Sequence, residues 1–357
     1  MMGQTDIAMD MRSIDQAPLI RWIMSVWVSV PVLIGMGVVS LAIGRYPVPW
    51  SDLYHLIMTT TFGVAGLAPE RYDELKTVVF DLRFPRVFAA MLIGAALSVS
   101  GAAFQAMFRN PLVSPGLLGV LAGASFGAAA AMLVGDSWVM VQLGAFLMGL
   151  AAVGITLLMA RFYGADSLLM LVLGGIITGG LFTALLSIVK ALADPYDQLP
   201  AIVFWLMGRL SLVELRTVLL LAGPMILGTV ALMASAKYLN ALSMGDEEAQ
   251  TLGVNVTRIR LSVIACATLV SALTVTLAGM IVWVGLVIPH IARLLVGANN
   301  QRVLPASAVI GALFLLCVDD LARSLFAVEV PIGVATELIG IPVFVAVLRH
   351  VRSGWLS

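Results

Sequence analysis

The sequence predicts an all-α polytopic membrane protein of ten transmembrane helices, with an inverted internal repeat that relates spans 2–5 to spans 7–10. Three observations carry this. Charged residues make up 11% of the 357-residue chain, against roughly 25% in soluble domains, and mean hydropathy is +1.05. Apolar runs recur along the chain at close to the ~20 residues that one helical crossing needs. Two runs echo each other. AALSVSGAAF (95–104) and SALTVTLAGM (271–280) share Ala-Leu-Ser/Thr-Val-Ser/Thr, and each leads into a proline-bearing run, RNPLVSP or GLVIPH. By span order the first runs inward and the second outward, the symmetry expected of an alternating-access transporter.

Residues 1–21 are polar, carry Asp6, Asp10 and Asp15, and have no positive leader ahead of an A-x-A site, so they read as a cytosolic tail. The ten-helix transmembrane body then covers 22–350. Span 1 is 22–44, followed by an external polar excursion, 45–84, with Trp50, Asp52, Glu70, Asp73 and Glu74, which LRFPR (82–86) closes. Span 2 is 87–107, and FRNPLVSPG (108–116) is a turn by its two prolines and Asn110. Spans 3–5 are 117–135, 138–160 and 168–191, with Arg161 and Asp166 between the last two. The stretch 193–214, broken by Pro195 and Pro200, reads as a short interfacial helix. Span 6 is 215–235. After a polar loop, 236–257, spans 7–10 are 258–281, 283–297, 304–325 and 333–349, and 351–357 is a second tail. Lys and Arg divide almost evenly between the two sides, a weak positive-inside signal. Arg258, Arg260, Arg349 and Arg352, with acids concentrated in the excursion, tip both termini towards the cytosol.

The loop 236–257 is the longest polar interruption of the second half. Asp246, Glu247 and Glu248 open a short helix, where acidic side chains suit the positive end of the dipole. Gly253 can close it in the left-handed conformation, and Thr257 is expected to cap the next helix. Ala249 and Leu252 share one face. The loop is either a solvated connection or an element to be gripped. Asp319 and Asp320, with Arg323 four and three residues on, sit in an apolar run. Charges there are functional candidates, but the spacing favours a structural i,i+3/i,i+4 set.

Net charge is zero and there are only three lysines (Lys76, Lys190, Lys237), which argues against a nucleic-acid partner. No G-x-x-x-x-G-K-[ST] is present, so the chain is not expected to hydrolyse nucleotide itself. His55, His290 and His350 are scattered, and Cys266 and Cys317 lack metal-ligand spacing, so no catalytic or metal constellation and no cofactor is expected. An intramembrane enzyme lacks its paired acids or Ser/His dyad. An ion-coupled secondary transporter using Asp319, Asp320 and Glu337 remains an alternative.

LRFPR, GAALSVSGAAFQAMFRNPLVSPGLLGVLAGASFG, FWLMGRL, MGDEEAQTLGV, AGMIVWVGLVIPHIARLLVG and DDLARSLFAVEVPIGVATELIGIPVF stand in one order along the chain. In that order they resemble the permeases of type II ABC importers for iron–siderophores, haem and vitamin B12, the FecCD-type family, over about residues 20–350. The resemblance implies a bacterial or archaeal cytoplasmic-membrane protein. Two permeases, here a homodimer, would enclose the path, with two separate ATPase subunits on the cytosolic side and an external binding protein, periplasmic or lipid-anchored. It makes MGDEEAQTLG the ATPase-coupling element, with Asp246, Glu247, Glu248, Ala249, Leu252 and Gly253. Arg83, Arg86 and Arg323 would dock the binding protein, and Asn110 and Leu112 would form the cytosolic gate. A second gate falls on Leu168-Leu169 and does not match. Glu337 stands in span 10 where the vitamin B12 member has a small neutral residue, and is a candidate for tuning the cavity. The cargo implied is a metal chelate, with an oxyanion such as molybdate as the alternative.

Overall fold

The computed structural model describes residues 26–355 apart from 65, 136, 163–167 and 326–327. Span 1 is helix α1 (Val26–Ala42). The polar excursion after α1 is folded: α2 (Trp50–Phe62) and α3 (Pro69–Lys76) pack around Leu53, Leu56, Leu75 and Val79, and Arg71 reaches Asp52 at 2.8 Å. A π-type segment (Thr77–Arg83) then runs without a break into α4 (Phe84–Phe108). A 3₁₀ turn (Pro115–Leu118) precedes α5 (Val120–Val134), α6 (Trp138–Phe162) and α7 (Leu168–Leu192). The interfacial stretch 193–214 is helical only over α8 (Gln198–Leu206). Then come α9 (Leu215–Ala234), α10 (Ala236–Met244), α11 (Asp246–Thr251), α12 (Val256–Ala278), α13 (Val284–Val296), α14 (Asn300–Ser324) and α15 (Ile332–Trp355).

Among the described residues, six helices are long and apolar enough to cross a membrane and four shorter ones are apolar, one for each of the ten expected spans. The last runs on to Trp355, so the expected tail at 351–357 is mostly helix. The tail 1–21 and Asp166 lie outside the described residues.

Burial sorts these helices. In α4 and α12, the pair carrying the sequence echo, 78% and 72% of the most apolar window is buried, against 28–33% in α6, α7 and α9. The two helices that carry the echo therefore lie at the centre of the bundle. There α4 meets α14 and α13 backbone to backbone. A methyl group on Gly94 would lie 2.2 Å from the Gly311 carbonyl oxygen, and one on Gly101 only 1.8 Å from that of Gly285. Small residues permit this approach, and in lipid close van der Waals packing replaces the hydrophobic drive between helices. Three of the sequence motifs converge where α8 ends. Arg209 N–H donates to Ala278 O at 2.8 Å, Ile332 N–H to Gly208 O at 3.0 Å, and Gly333 N–H to Met207 O at 3.1 Å.

Candidate coupling and translocation site

Helix α14 separates two polar regions: Asn300 and Ser324, its ends, are about 36 Å apart at 1.5 Å per residue. At the Asn300 end, Asn240 of α10 donates to Asn299 at 2.9 Å and accepts the Asn300 N–H at 2.8 Å. This fixes α10, and α11 follows after Gly245 (φ +142°), where a methyl group would meet a Glu248 carboxylate oxygen at 1.9 Å. The Asp246 carboxylate accepts two hydrogen bonds from Arg260, at 3.0 and 2.9 Å, which tie α11 to the first turns of α12. The far end of α11 closes with Val254 N–H to Ala249 O at 3.0 Å and Gly253 N–H to Gln250 O at 2.9 Å, Gly253 lying at φ +78°. That is the paired 6→1 and 5→2 pattern of a left-handed helix stop, as expected for Gly253.

Two expectations are corrected here. The next helix is capped by Asn255, whose side chain accepts the Arg258 N–H at 3.0 Å, and not by Thr257; α12 begins two residues earlier, at Val256. Ala249 does not share an outward face with Leu252. Its side chain is fully buried in the cluster that holds Leu239, Leu242 and Val256, because α11 must seat one apolar residue to stay folded on the bundle. Leu252 is 63% exposed, and Glu247 and Glu248 are exposed beside it. The outcome is a short knob, fixed at its root and bare at its tip.

The turn after α4 lies at the same end, since Arg109 and Pro111 share a cleft of about 290 Å³ with Ser243 and Asn300. Arg109 adopts φ +52°. Asn110 Oδ1 accepts the Leu112 N–H at 2.9 Å, an Asx turn that presents the exposed Leu112 side chain.

At the Ser324 end the expected docking arginines are corrected. Arg83, Arg86 and Arg323 are all under 10% exposed and are used inside the chain. Arg86 Nε donates to both Asp319 oxygens at 2.9 and 2.8 Å, its Nη2 to Asp319 at 2.7 Å, and it pairs with Glu329 at 2.8 Å. Arg323 pairs with Asp320 and donates to the Ser40 carbonyl at 2.6 Å, while the Ser40 hydroxyl donates to Asp320 at 2.6 Å. Arg83 caps the end of α1 by donating to Leu41 O at 2.7 Å and Ala42 O at 3.2 Å. A guanidinium taken out of water needs such partners. The structural reading of Asp319, Asp320 and Arg323 holds. Sequence reasoning missed Ser40 and Glu329, which lie far from their partners in the chain and give no local signal.

Glu337 is exposed on α15 and makes no hydrogen bond or ion pair among the described residues. It lines a cavity of about 290 Å³ with Lys190 of α7, Met207, Met280 and Gly333. The convergence of the three motifs shapes this cavity and puts an acid and a base on its wall.

Ten apolar helices among the described residues, with an exposed knob at one end of the bundle and a charged cavity on its flank, make the architecture of a membrane transport subunit. The FecCD transport family model matches residues 32–350, and the chain belongs to that family. The molybdate import system permease MolB of Haemophilus influenzae is 37% identical over 91% of this chain and 95% of its own length. The hemin transport system permease HmuU of Yersinia pestis is 36% identical, over 79% of this chain and 87% of its own. The cobalamin import system permease BtuC of Halobacterium salinarum is 35% identical, over 80% and 78%. A solved ABC transporter of metal-chelate type, in an inward-facing conformation, superposes with a TM-score of 0.78 at 37% identity, covering 91% of this chain and 98% of that one. The chain is thus a multi-pass permease of the cytoplasmic membrane and a component of an ABC importer.

Proposed function

We propose that two copies of this chain form the translocation path for a metal chelate, and that two separate ATPase subunits drive it through α11 from the cytosolic side. An external binding protein delivers the cargo. The observation that carries this reading is the build of α11: Asp246 and Ala249 hold its root while Leu252 and two acids stand free. A rigid knob passes on a movement of its socket because packed interfaces switch between discrete arrangements. Asn110 and Leu112, at the same end, serve as the cytosolic gate. The test is ATP-driven uptake of a ferric siderophore into proteoliposomes that hold the permease with its ATPase. Leu252→Asp should abolish uptake while the permease keeps its wild-type melting temperature. Undiminished uptake by this variant would sink the assignment.

Molybdate import is the second reading, favoured by the similarity to MolB over nearly the whole chain. Glu337 separates the two. Glu337 offsets the charge of Lys190 on the same wall, so the cavity suits a neutral chelate, and removing the carboxylate leaves a net positive wall that favours a dianion. Glu337→Gln should leave stability unchanged and raise uptake of anionic cargo relative to neutral chelates. Identical cargo preference in the variant and the wild type removes Glu337 from selection.

A further inference from the structure

We infer that the cleft beside the turn after α4 binds one tetrahedral oxyanion, of the class of phosphate and molybdate, between Arg109 and Arg293. The cleft encloses about 290 Å³, room for one such ion and several waters at ~30 Å³ each. Its polar wall comes from four helices and the turn: Gln105 of α4, Arg109, Ser243 of α10, His290 and Arg293 of α13, and Asn300 of α14. No carboxylate is among the described lining residues, and the apolar ones are only Ala106, Pro111 and Ala298. An acyl chain would find no wall to lie against here. A small ion finds donors.

The two arginines are held in place without a counter-charge. Arg293 donates to Gln105 Oε1, and the Nε2 of the same amide donates to Leu286 O at 3.2 Å. Gln105 is 3% exposed, so a buried but neutral prop fixes this guanidinium at the cleft. Among the described residues neither Arg293 nor Arg109 pairs with an acid. At the Ser324 end, by contrast, Arg86 and Arg323 each meet an aspartate. A guanidinium drawn from water needs such a partner, and its paired N–H donors match the edge of an oxyanion. Arg109 adds a second observation. Among the described residues it alone lies at positive φ without being glycine, at +52°, where glycine is the unstrained choice. His290 also lines the cleft, and its buried Nδ1 has no hydrogen-bond partner.

Arg109 directly precedes Asn110 and Leu112, whereas Arg293 belongs to α13. An ion shared by both guanidinium groups ties that turn to the bundle and slows its opening, a consequence that rests on reading the turn as the cytosolic gate.

The test is calorimetric titration of molybdate and of phosphate, in separate arms, into the full-length permease in detergent, alone and with its ATPase. One ion should bind per chain, more weakly as salt rises. Arg109→Gly removes one guanidinium and suits the left-handed backbone, so the fold is kept. Binding should weaken about tenfold, the worth of one charge-assisted hydrogen bond, and Arg109→Lys should recover part of it. The tighter of the two ions names the occupant. No binding by the wild type, or equal binding by the Arg109→Gly protein, overturns the proposal. So does loss of the difference between wild type and variant once the ATPase is bound, which would mean that the partner fills the cleft. Vesicles loaded with the tighter ion should take up ferric siderophore several-fold more slowly than chloride-loaded ones, and Arg109→Gly should abolish that slowing. Equal rates in the wild type overturn the gating consequence. A wild type that takes up no siderophore under either load overturns the proposed function alone, because the titration still decides the site.

Discussion

At the Asn300 end of α14 a six-residue helix is held by one ion pair, one buried alanine and a glycine stop, and it shows its remaining side chains to solvent. At the Ser324 end, three arginines and two aspartates are drawn into the bundle, where Arg86 and Arg323 pair with Asp319 and Asp320, Arg83 caps α1 through carbonyl oxygens, and the set ties α1, α4 and α14 together. Both regions are charged interruptions of apolar sequence, and by pattern alone both look like surfaces for a partner. What separates them is where each charge finds its counter-charge. Acids whose partners lie inside the bundle are spent on stability, and those left at a helix tip remain available to a second protein.

The largest effect should come from breaking the closed end. Arg86→Gln leaves Asp319, which is fully buried, without its bidentate partner, and Arg323 at 3.8 Å is too far to replace it. Removing one member of a buried pair costs about 3–5 kcal/mol, so the melting temperature of the purified permease should fall steeply. Arg86→Gln with Asp319→Asn should recover most of it. If Arg86→Gln instead melts like the wild type and only capture of the binding protein weakens, the two ends are alike after all. A smaller effect is expected at the open end. Asp246→Asn removes a partly exposed pair, about 1 kcal/mol once solvent screening is allowed for, yet it frees the root of α11. ATP hydrolysis should continue while uptake falls, and a parallel loss of both activities would argue against a coupling role. Gly253→Ala should be the mildest change. It forces a side chain into the left-handed region at roughly 1 kcal/mol, read as a small drop in uptake at elevated temperature.

The helices were legible because a chain in lipid must satisfy its backbone within each crossing, so apolar length maps onto structure. The runs at 138–160 and 168–191 became Trp138–Phe162 and Leu168–Leu192. The glycine stop at Gly253 and the Asp320–Arg323 pair were legible because both are local rules. The fate of Arg86 was not, since its partner Asp319 lies 233 residues away and no spacing records it. Ala249 showed the other limit: periodicity gives the face of a six-residue helix but not whether that face looks into the bundle or out of it. The Thr257 cap failed by competition, because Asn255 offers a better acceptor two residues earlier.

The glycine crossings of α4 with α13 and α14 have a mechanical consequence. Interdigitated side chains act as a ratchet, since each must climb out of its hole before one helix can move along another. At Gly101–Gly285 there are no such teeth, only a carbonyl group against a bare Cα atom, whereas at Gly94–Gly311 the Ser98 side chain and Leu315 Cβ flank the carbonyl contact. Helix α4 belongs to the first half of the repeat, and α13 and α14 to the second. The seam between the halves is therefore a plain bearing at the Gly101–Gly285 crossing, stiff against separation and smooth against sliding, and it is keyed by Ser98 at the Gly94–Gly311 crossing.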